Sequence, residues 1–151
     1  MAGDEKMFES WPLPTTDGHD ATFWEGARRG VLTMEACGDC GELRFPPRPM
    51  CPSCHSLQRL WHELSGRGRI WSFIVPHPPL FPVFNRLAPY NVVIVELEET
   101  PSIRLPGNLV EDPADPINSV KAETIRINEP VQAVFVPVAE DVSLIRWIRR
   151  Q

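Results

Sequence analysis

The 151-residue chain has no apolar run of membrane-spanning length and very few lysines. A transmembrane helix needs about 20 apolar residues in succession, and no secretory signal is visible at the N-terminus. We therefore expect a soluble, cytoplasmic protein with no membrane partner. Lysine supplies only two of the 15 cationic side chains, and the formal net charge is −5. Because contacts with phosphate dominate nucleic-acid affinity, this balance argues against general nucleic-acid binding.

Cysteine is also scarce, and it is confined to one stretch. The four cysteines form two C-x-x-C pairs, Cys37 with Cys40 and Cys51 with Cys54. Each pair can make a tight turn that directs both sulfurs to one point, and two such turns supply the tetrahedral thiolate set that zinc prefers. A site with four protein ligands leaves no position for water. The pairs therefore predict a structural metal site rather than a catalytic one.

Other uses of the two pairs stay open at this point. An iron centre of the rubredoxin type has the same ligand set, although zinc is favoured. Two disulfides would need an oxidising compartment. A redox-active C-x-x-C usually comes singly beside a βαβ pattern, which the sequence lacks.

The remaining pattern predicts a mainly β protein, since 17 prolines disfavour long helices. Asp20 can cap a helix over Ala21–Arg29, with Gly30 as its stop. Strands are predicted at Glu42–Phe45, Trp61–Val75 with a bend at Gly66-Arg67-Gly68, Tyr90–Leu97, Ser102–Val110, Val131–Val138 and Ser143–Ile148, with a strand or connector at Thr124–Ile127. We predict an N-terminal arm and helix over 1–34, a zinc ribbon over 35–60 and a five-stranded OB-fold barrel over 61–151.

The segment Pro76–Pro89 combines five prolines with five large apolar residues. It is predicted to be a loop, and loops normally lie on the surface. The prolines can simply stiffen a loop at the barrel end, with Phe81 as a plug. We favour instead a surface for a partner or a ligand, beside which Arg86 can pair an anionic group.

Several short motifs together resemble one family. They are Phe23-Trp24, the cysteine pairs with Phe45-Pro46-Pro47-Arg48 between them, Ser65-Gly66-x-Gly68, and Pro89-Tyr90 before a valine-rich strand. The combination resembles the OB-fold proteins with an N-terminal rubredoxin-like zinc ribbon that accompany thiolase-type acyl-CoA enzymes. The likeness covers nearly the whole chain after the first ~20 residues, the extent of such a domain. The four cysteines match that family's metal ligands.

This resemblance implies a non-catalytic accessory subunit of an acyl-CoA-processing complex, with no activity alone. The partner in the hetero-oligomer would be a thiolase-like or lipid-transfer-protein-like enzyme that makes or breaks C–C bonds, for example by retro-aldol cleavage of a steroid side-chain CoA ester. The chain would help bind the acyl-CoA, with arginines between Gly41 and Ser72 near the phosphates of coenzyme A. The candidate contacts with partner or acyl-CoA are Leu80, Phe81, Phe84, Arg86, Tyr90, Arg67 and Arg69.

Two departures from the family pattern predict changed turns. His55 replaces the glycine that commonly follows the fourth cysteine, and Asn128-Glu129-Pro130 replaces a glycine-containing turn.

Two other functions are compatible with parts of the sequence. As an enzyme in its own right, the chain offers only His77 for a test of proton transfer, because no histidine stands at a recognisable spacing from a nucleophile or a carboxylate. The alternative function is single-stranded nucleic-acid binding, for which OB barrels stack bases on aromatic side chains beside cations. Its candidate residues are Trp61, Trp71, Phe73, Arg67 and Arg69.

Overall fold

The structure is a computed structural model of the chain, and it describes Phe8 and residues 10–151. Its helices are α1 (Ala21–Arg28) and α2 (Pro82–Leu87), with a 3-10 turn at Ala122–Thr124. Its strands are β1 (Leu32–Cys37), β2 (Leu43–Arg44), β3 (Arg59–Leu64), β4 (Arg67–Ile74), β5 (Val92–Leu97), β6 (Arg104–Leu109), β7 (Pro130–Pro137) and β8 (Ser143–Arg149). Residues 1–7 and 9 of the predicted arm lie outside the described residues. In the described part of the chain, no helix is both long and apolar enough to cross a membrane.

Helix α1 packs between the first strand and the barrel. Its buried residues Phe23 and Ala27 face β1, β7 and β8. It ends at Arg28, and Gly30, two residues later, has a φ of 75°, which confirms the predicted glycine stop. The predicted cap is wrong in one respect, since the Asp20 side chain makes no capping bond. Its carboxylate instead accepts a hydrogen bond of 2.8 Å from the indole Nε1 of Trp24.

The first three strands form a small antiparallel sheet in the order β2-β1-β3. Strand β1 lies in the middle, and all six of its residues are buried. Its register places Glu35 opposite Arg44 on β2 and Trp61 on β3. The sheet carries the first cysteine turn at the end of β1, because the strand ends at Cys37.

The single bent strand predicted over Trp61–Val75 is wrong, because it is two strands in two sheets. Strand β3 pairs with β1, whereas β4 opens the barrel. The corner between them is Ser65-Gly66. There the Gly66 carbonyl accepts from the Ala133 amide at 2.8 Å, the Ser65 carbonyl accepts from Gln132 Nε2 at 2.8 Å, and the Ser65 amide donates to Glu99 at 2.8 Å. The domain boundaries at 34/35 and 60/61 stay predictions, and β3 crosses the second of them.

The last five strands close into a barrel in the order β4-β5-β6-β8-β7, with β7 returning to β4. Strands β6 and β8 are parallel and the other neighbours antiparallel, which confirms the predicted five-stranded OB fold. The fully buried Trp147 fills the interior. It packs against Gly107, where an added Cβ would lie 2.8 Å from the indole nitrogen. The segment predicted at Thr124–Ile127 is a connector and not a strand.

The proline-rich segment is not the irregular loop that was predicted, because it contains α2. Pro82 stands in the first turn of this helix, where a fixed φ and a missing amide proton cost nothing. Val83 is buried beneath the helix. The ring of Phe84 packs between those of Trp11 and Tyr90, with centroid distances of 5.1 and 6.0 Å.

Candidate metal centre and neighbouring surfaces

The four cysteine sulfurs come together at one end of the ribbon. All four Sγ atoms lie within 4.8 Å of one another. The Sγ atoms of Cys37 and Cys54 are 3.5 Å apart, and those of Cys40 and Cys51 are 3.7 Å apart. A tetrahedral ion with metal–sulfur bonds of about 2.3 Å requires sulfur–sulfur distances of about 3.8 Å. The cluster therefore fits a tetrahedral metal ion, and none of the four cysteines is in a disulfide.

The two cysteine turns repeat the same hydrogen bonds. The amide of Gly41 donates to the Cys37 carbonyl at 3.0 Å, and the amide of His55 donates to the Cys51 carbonyl at 2.9 Å. The backbone φ is 75° at Gly41 and 62° at His55. The changed turn predicted at His55 is therefore wrong, because the histidine adopts the left-handed conformation that glycine would take. Asn128, in the other turn that was predicted to differ, also has a positive φ, of 69°.

Backbone amides favour the thiolate form of the two buried sulfurs. The amides of Asp39 and Cys40 lie 3.4 and 3.5 Å from the Cys37 sulfur. Hydrogen bonds from Cys40 and Asp39 lower the pKa of Cys37 to about 6. The amide of Cys54 likewise lowers the pKa of Cys51. Since a metal binds thiolates rather than thiols, these donors favour metal binding at Cys37 and Cys51.

A buried ion-pair cluster lies directly behind the first cysteine turn. Glu35 is fully buried, and its carboxylate accepts from Arg44 Nε at 2.9 Å, from the Arg48 amide at 2.8 Å and from Arg59. Burial raises the pKa of Glu35, but the bonds from Arg44, Arg48 and Arg59 outweigh it, and the pKa lies below its usual value. The cluster ties together the three strands of the ribbon. Arg44 and Arg59 therefore neutralise Glu35 and are not free to meet phosphates, contrary to the expectation for the arginine-rich stretch.

The predicted partner or acyl-CoA contacts fall into two groups. Leu80, Phe81, Phe84, Arg86 and Tyr90 lie together around α2. Phe81 is the most exposed of the apolar ones, at 69%. Arg86 is exposed in the last turn of the helix.

Arg67 and Arg69 form the second group. They are exposed at the start of β4, whereas the α2 segment follows the end of that strand. At a rise of about 3.3 Å per residue the two ends of β4 are about 20 Å apart. The Arg69 guanidinium also donates to the Asn128 carbonyl at 3.0 Å. The two arginines therefore lie on a different element from the α2 group, and the role of all seven residues as contacts stays a prediction.

The residues of the nucleic-acid alternative are not assembled either. Trp61 and Phe73 pack against the core, which leaves Trp71, half exposed, as the one of the three available for stacking. The guanidinium of Arg104 covers the Trp71 ring at 3.9 Å.

His77 is the residue of the enzyme alternative. It is exposed, and within the described part of the chain it makes no side-chain hydrogen bond to a carboxylate or a nucleophile.

Comparison with known proteins identifies both halves of the structure. The family model described as "ChsH2, rubredoxin-like zinc ribbon domain" matches residues 24–58, and "ChsH2, C-terminal OB-fold domain" matches residues 61–136. A solved structure described as "Ltp2-ChsH2(DUF35) aldolase" superimposes with a TM-score of 0.75 and 31% identity, covering 91% of this chain and 98% of that one.

Three curated relatives extend the comparison. The chain is 39% identical over 133 residues to a "Probable enoyl-CoA hydratase alpha subunit" of Thermomonospora curvata and 34% identical over 134 residues to the "3-oxo-4,17-pregnadiene-20-carboxyl-CoA hydratase alpha subunit" of Mycobacterium tuberculosis. The matches cover 88% and 89% of this chain but only 38% and 39% of those subunits. A "DUF35 domain-containing scaffold protein" of Methanothermobacter thermautotrophicus is 38% identical over 115 residues, covering 76% of this chain and 78% of the relative.

Proposed function

Because the chain belongs to the ChsH2 family of proteins with a rubredoxin-like zinc ribbon and an OB fold, we propose that it is a non-catalytic subunit of an acyl-CoA-processing complex. The observation that carries this proposal is the likeness along 91% of the chain to the chain from the Ltp2-ChsH2(DUF35) aldolase. The names of the hydratase alpha subunits and of the archaeal scaffold protein also support a role beside another polypeptide.

The partner in this proposal is a thiolase-like or lipid-transfer-protein-like enzyme that makes or breaks C–C bonds. One such reaction is the retro-aldol cleavage of a steroid side-chain CoA ester. Two of the similar proteins support this choice, since one is described as an aldolase and the other as the alpha subunit of a 3-oxo-4,17-pregnadiene-20-carboxyl-CoA hydratase. The partner would carry the catalytic residues, because the four sulfurs form a closed ligand set with no position for a substrate.

The metal in this proposal is zinc, held by Cys37, Cys40, Cys51 and Cys54. The sulfur spacing suits a tetrahedral ion, and four thiolates with no open position are the usual ligands of structural zinc. When bound, zinc would link the two cysteine turns and would have a structural rather than a catalytic role. Free thiols suit a reducing compartment, and we place the protein in the cytoplasm.

The docking surface in this proposal is the α2 patch, which we define as Leu80, Phe81, Phe84, Arg86 and Tyr90. A large exposed phenylalanine beside an exposed arginine is the composition favoured at the centre of protein interfaces. Arg67 and Arg69 would meet an anionic group, such as a phosphate of coenzyme A, at a separate place on β4. An arginine presents several donors to phosphate in a fixed geometry.

The test is co-expression and co-purification with a thiolase-like protein, such as an aldolase of the Ltp2 type, from the same organism. We expect the two proteins to elute as one complex from size exclusion, and we expect the partner's cleavage of an acyl-CoA substrate to require this chain. Separate elution together with a partner activity that ignores this chain would contradict the proposal. Turnover of acyl-CoA by this chain alone, lost in His77→Ala, would favour the enzyme alternative instead.

A further inference from the structure

Strand β3 has one edge that is hydrogen-bonded to no other strand in the described part of the chain. The ribbon sheet has the order β2-β1-β3, so its outer edges belong to β2 and β3, whereas the barrel is closed and has no edge. Strand β2 is only two residues long, and Pro46, Pro47 and Pro49 follow it. Strand β3 is six residues long, contains no proline and pairs with β1 without a bulge. Because it lacks these protective features, β3 is open to pairing with a further strand.

The register of the ribbon sheet determines which backbone groups of β3 point to this free edge. Just before the strand, the Gln58 carbonyl accepts from the Gly38 amide at 2.9 Å and therefore points to the β1 side. Backbone groups alternate in direction along an antiparallel strand, so Arg59, Trp61 and Glu63 direct theirs away from β1. Among the described residues, no hydrogen bond engages the amide or the carbonyl of any of these three. The free edge thus offers three donors and three acceptors in the spacing of a strand ladder.

The side chains at these three positions are complementary to a second copy of themselves. If a second β3 lies antiparallel with the two Trp61 residues opposite each other, Arg59 of each copy lies opposite Glu63 of the other. Opposite charges and paired aromatic rings at such positions stabilise an antiparallel pair. The hydrogen bonds of the described residues use neither Nη1 of Arg59 nor Oε2 of Glu63, so both atoms can meet a second copy. On the other face of the sheet, the exposed Leu60 would lie opposite His62 of the second copy.

We propose that two copies of this chain pair through the free edge of β3 and form a dimer with two-fold symmetry. The two three-stranded ribbon sheets then become one continuous sheet, in which the outward amides of each copy donate to the outward carbonyls of the other. The partner strand is a second copy because the charge order Arg59-x-x-x-Glu63 matches itself in the antiparallel register. This inference goes beyond the proposed function and does not depend on it, since the α2 patch lies on a different element.

The experiment measures the mass and the amide exchange of the full-length, metal-loaded chain in reducing buffer, with no other protein present. Analytical ultracentrifugation covers about 10 µM to about 1 mM, because a contact made by one strand pair should associate weakly. We expect the monomer to be replaced by a dimer across this range. By nuclear magnetic resonance, the amides of Arg59, Trp61 and Glu63 should exchange with solvent at least about threefold more slowly at the higher concentration. The amides of Leu60 and His62 face β1 and should change less.

One variant and a matched control test the register. Glu63→Arg places an arginine opposite Arg59 at both symmetric positions and should weaken dimerisation about tenfold. The fold should be retained, because the pair of Glu63 with Arg29 is exposed, and metal content and melting temperature verify this. Glu140→Arg makes the same charge change in the exposed turn between β7 and β8 and should leave dimerisation unchanged.

Three results would overturn the proposal. The first is a chain that stays monomeric at the highest concentration, even if a strand of another protein later protects β3. The second is a dimer in which the three outward amides exchange as fast as in the monomer. The third is an equal effect of Glu63→Arg and Glu140→Arg, which would show a dependence on net charge rather than on this edge.

Discussion

His55 holds a left-handed backbone in a turn that Gly41 makes in the other half of the metal site. A residue with a Cβ loses about 1 kcal/mol in that conformation, whereas glycine has no such penalty. The environment of Gly41 is open, since a Cβ there would meet nothing within 4 Å. Substitutions at these two positions should therefore change the backbone strain without changing the packing of side chains.

We predict that substitutions at these two positions change stability in opposite directions. Gly41→Ala should lower the apparent free energy of unfolding of the metal-loaded protein by about 1 kcal/mol. His55→Gly should raise it by up to about 1 kcal/mol, less the entropy that glycine adds to the unfolded chain. Urea unfolding in reducing buffer with excess zinc measures both. Asn128→Gly is the control, and it should change less because asparagine tolerates this backbone. A stabilised Gly41→Ala variant would contradict the strain argument.

Glu35 is the other single residue on which the ribbon depends. It pairs with two arginines, and removing one member of a buried pair costs about 3 to 5 kcal/mol because the other charges stay buried. Glu35→Gln should therefore destabilise the protein by that amount. Glu63→Gln is the matched control, since its pair with Arg29 is exposed and should contribute less than about 1 kcal/mol.

The contribution of Glu35 should also depend on pH. Its pKa in the folded protein lies below the usual value of 4.5. The carboxylate therefore stabilises the fold above pH 4.5 and loses this effect as the pH falls through its folded pKa. The stability difference between the native chain and Glu35→Gln should be constant near neutral pH and shrink in acid. A constant difference down to pH 3 would contradict this assignment, and comparing the two proteins cancels the acid sensitivity of the metal site.

At the scale of elements, the ribbon is too small to stabilise itself. Its sheet has strands of six, two and six residues. Structural zinc contributes much of the folding free energy in such modules. The barrel instead closes around Trp147 and supplies most of the hydrophobic core, to which β1 adds only Leu32 and Met34.

We therefore predict that metal removal unfolds the ribbon sheet, β1–β3, and leaves the barrel, β4–β8, folded. A chelator with reductant should abolish hydrogen-exchange protection in β1–β3 while β4–β8 stay protected. Elemental analysis of the untreated protein should give one zinc per chain. Cys51→Ser should reproduce the loss, and Ser53→Ala, in the same turn, should not. Equal loss of protection in the barrel would show that the metal stabilises the whole chain.

The sequence predicted elements whose determinants are local. Cysteine spacing predicted the two turns, and the valine-rich run predicted β5. Strand β3 was assigned to the barrel because its partner β1 is remote in sequence. Helix α2 was missed among prolines, although Pro82 at its start was a readable signal. Glu35 and Arg146 were missed because their partners are also remote in sequence. The fold brings Arg44 and Arg59 to Glu35, and it brings the carbonyls of Pro113 and Asp115 to Arg146.

At the scale of the whole molecule, the α2 patch is the surface at which a partner is expected. We predict that Phe81→Asp weakens complex formation at least tenfold, because a buried aromatic anchor typically contributes 2 kcal/mol or more, an estimate of about thirtyfold in affinity. Ile127→Asp is the control, since Ile127 is also exposed, at 57%, and lies outside the patch. Co-elution and calorimetry with the partner give the readout. Equal effects of both variants would mean that the α2 patch is not the docking surface.

The corner at Ser65-Gly66 determines how the chain moves as a whole. A hinge needs backbone free to rotate, yet this two-residue joint is held by hydrogen bonds to β7 and to Glu99. Ribbon and barrel should therefore tumble in solution with a single rotational correlation time. A partner enzyme that binds the barrel would then hold the cysteine cluster of the ribbon in one fixed orientation relative to itself.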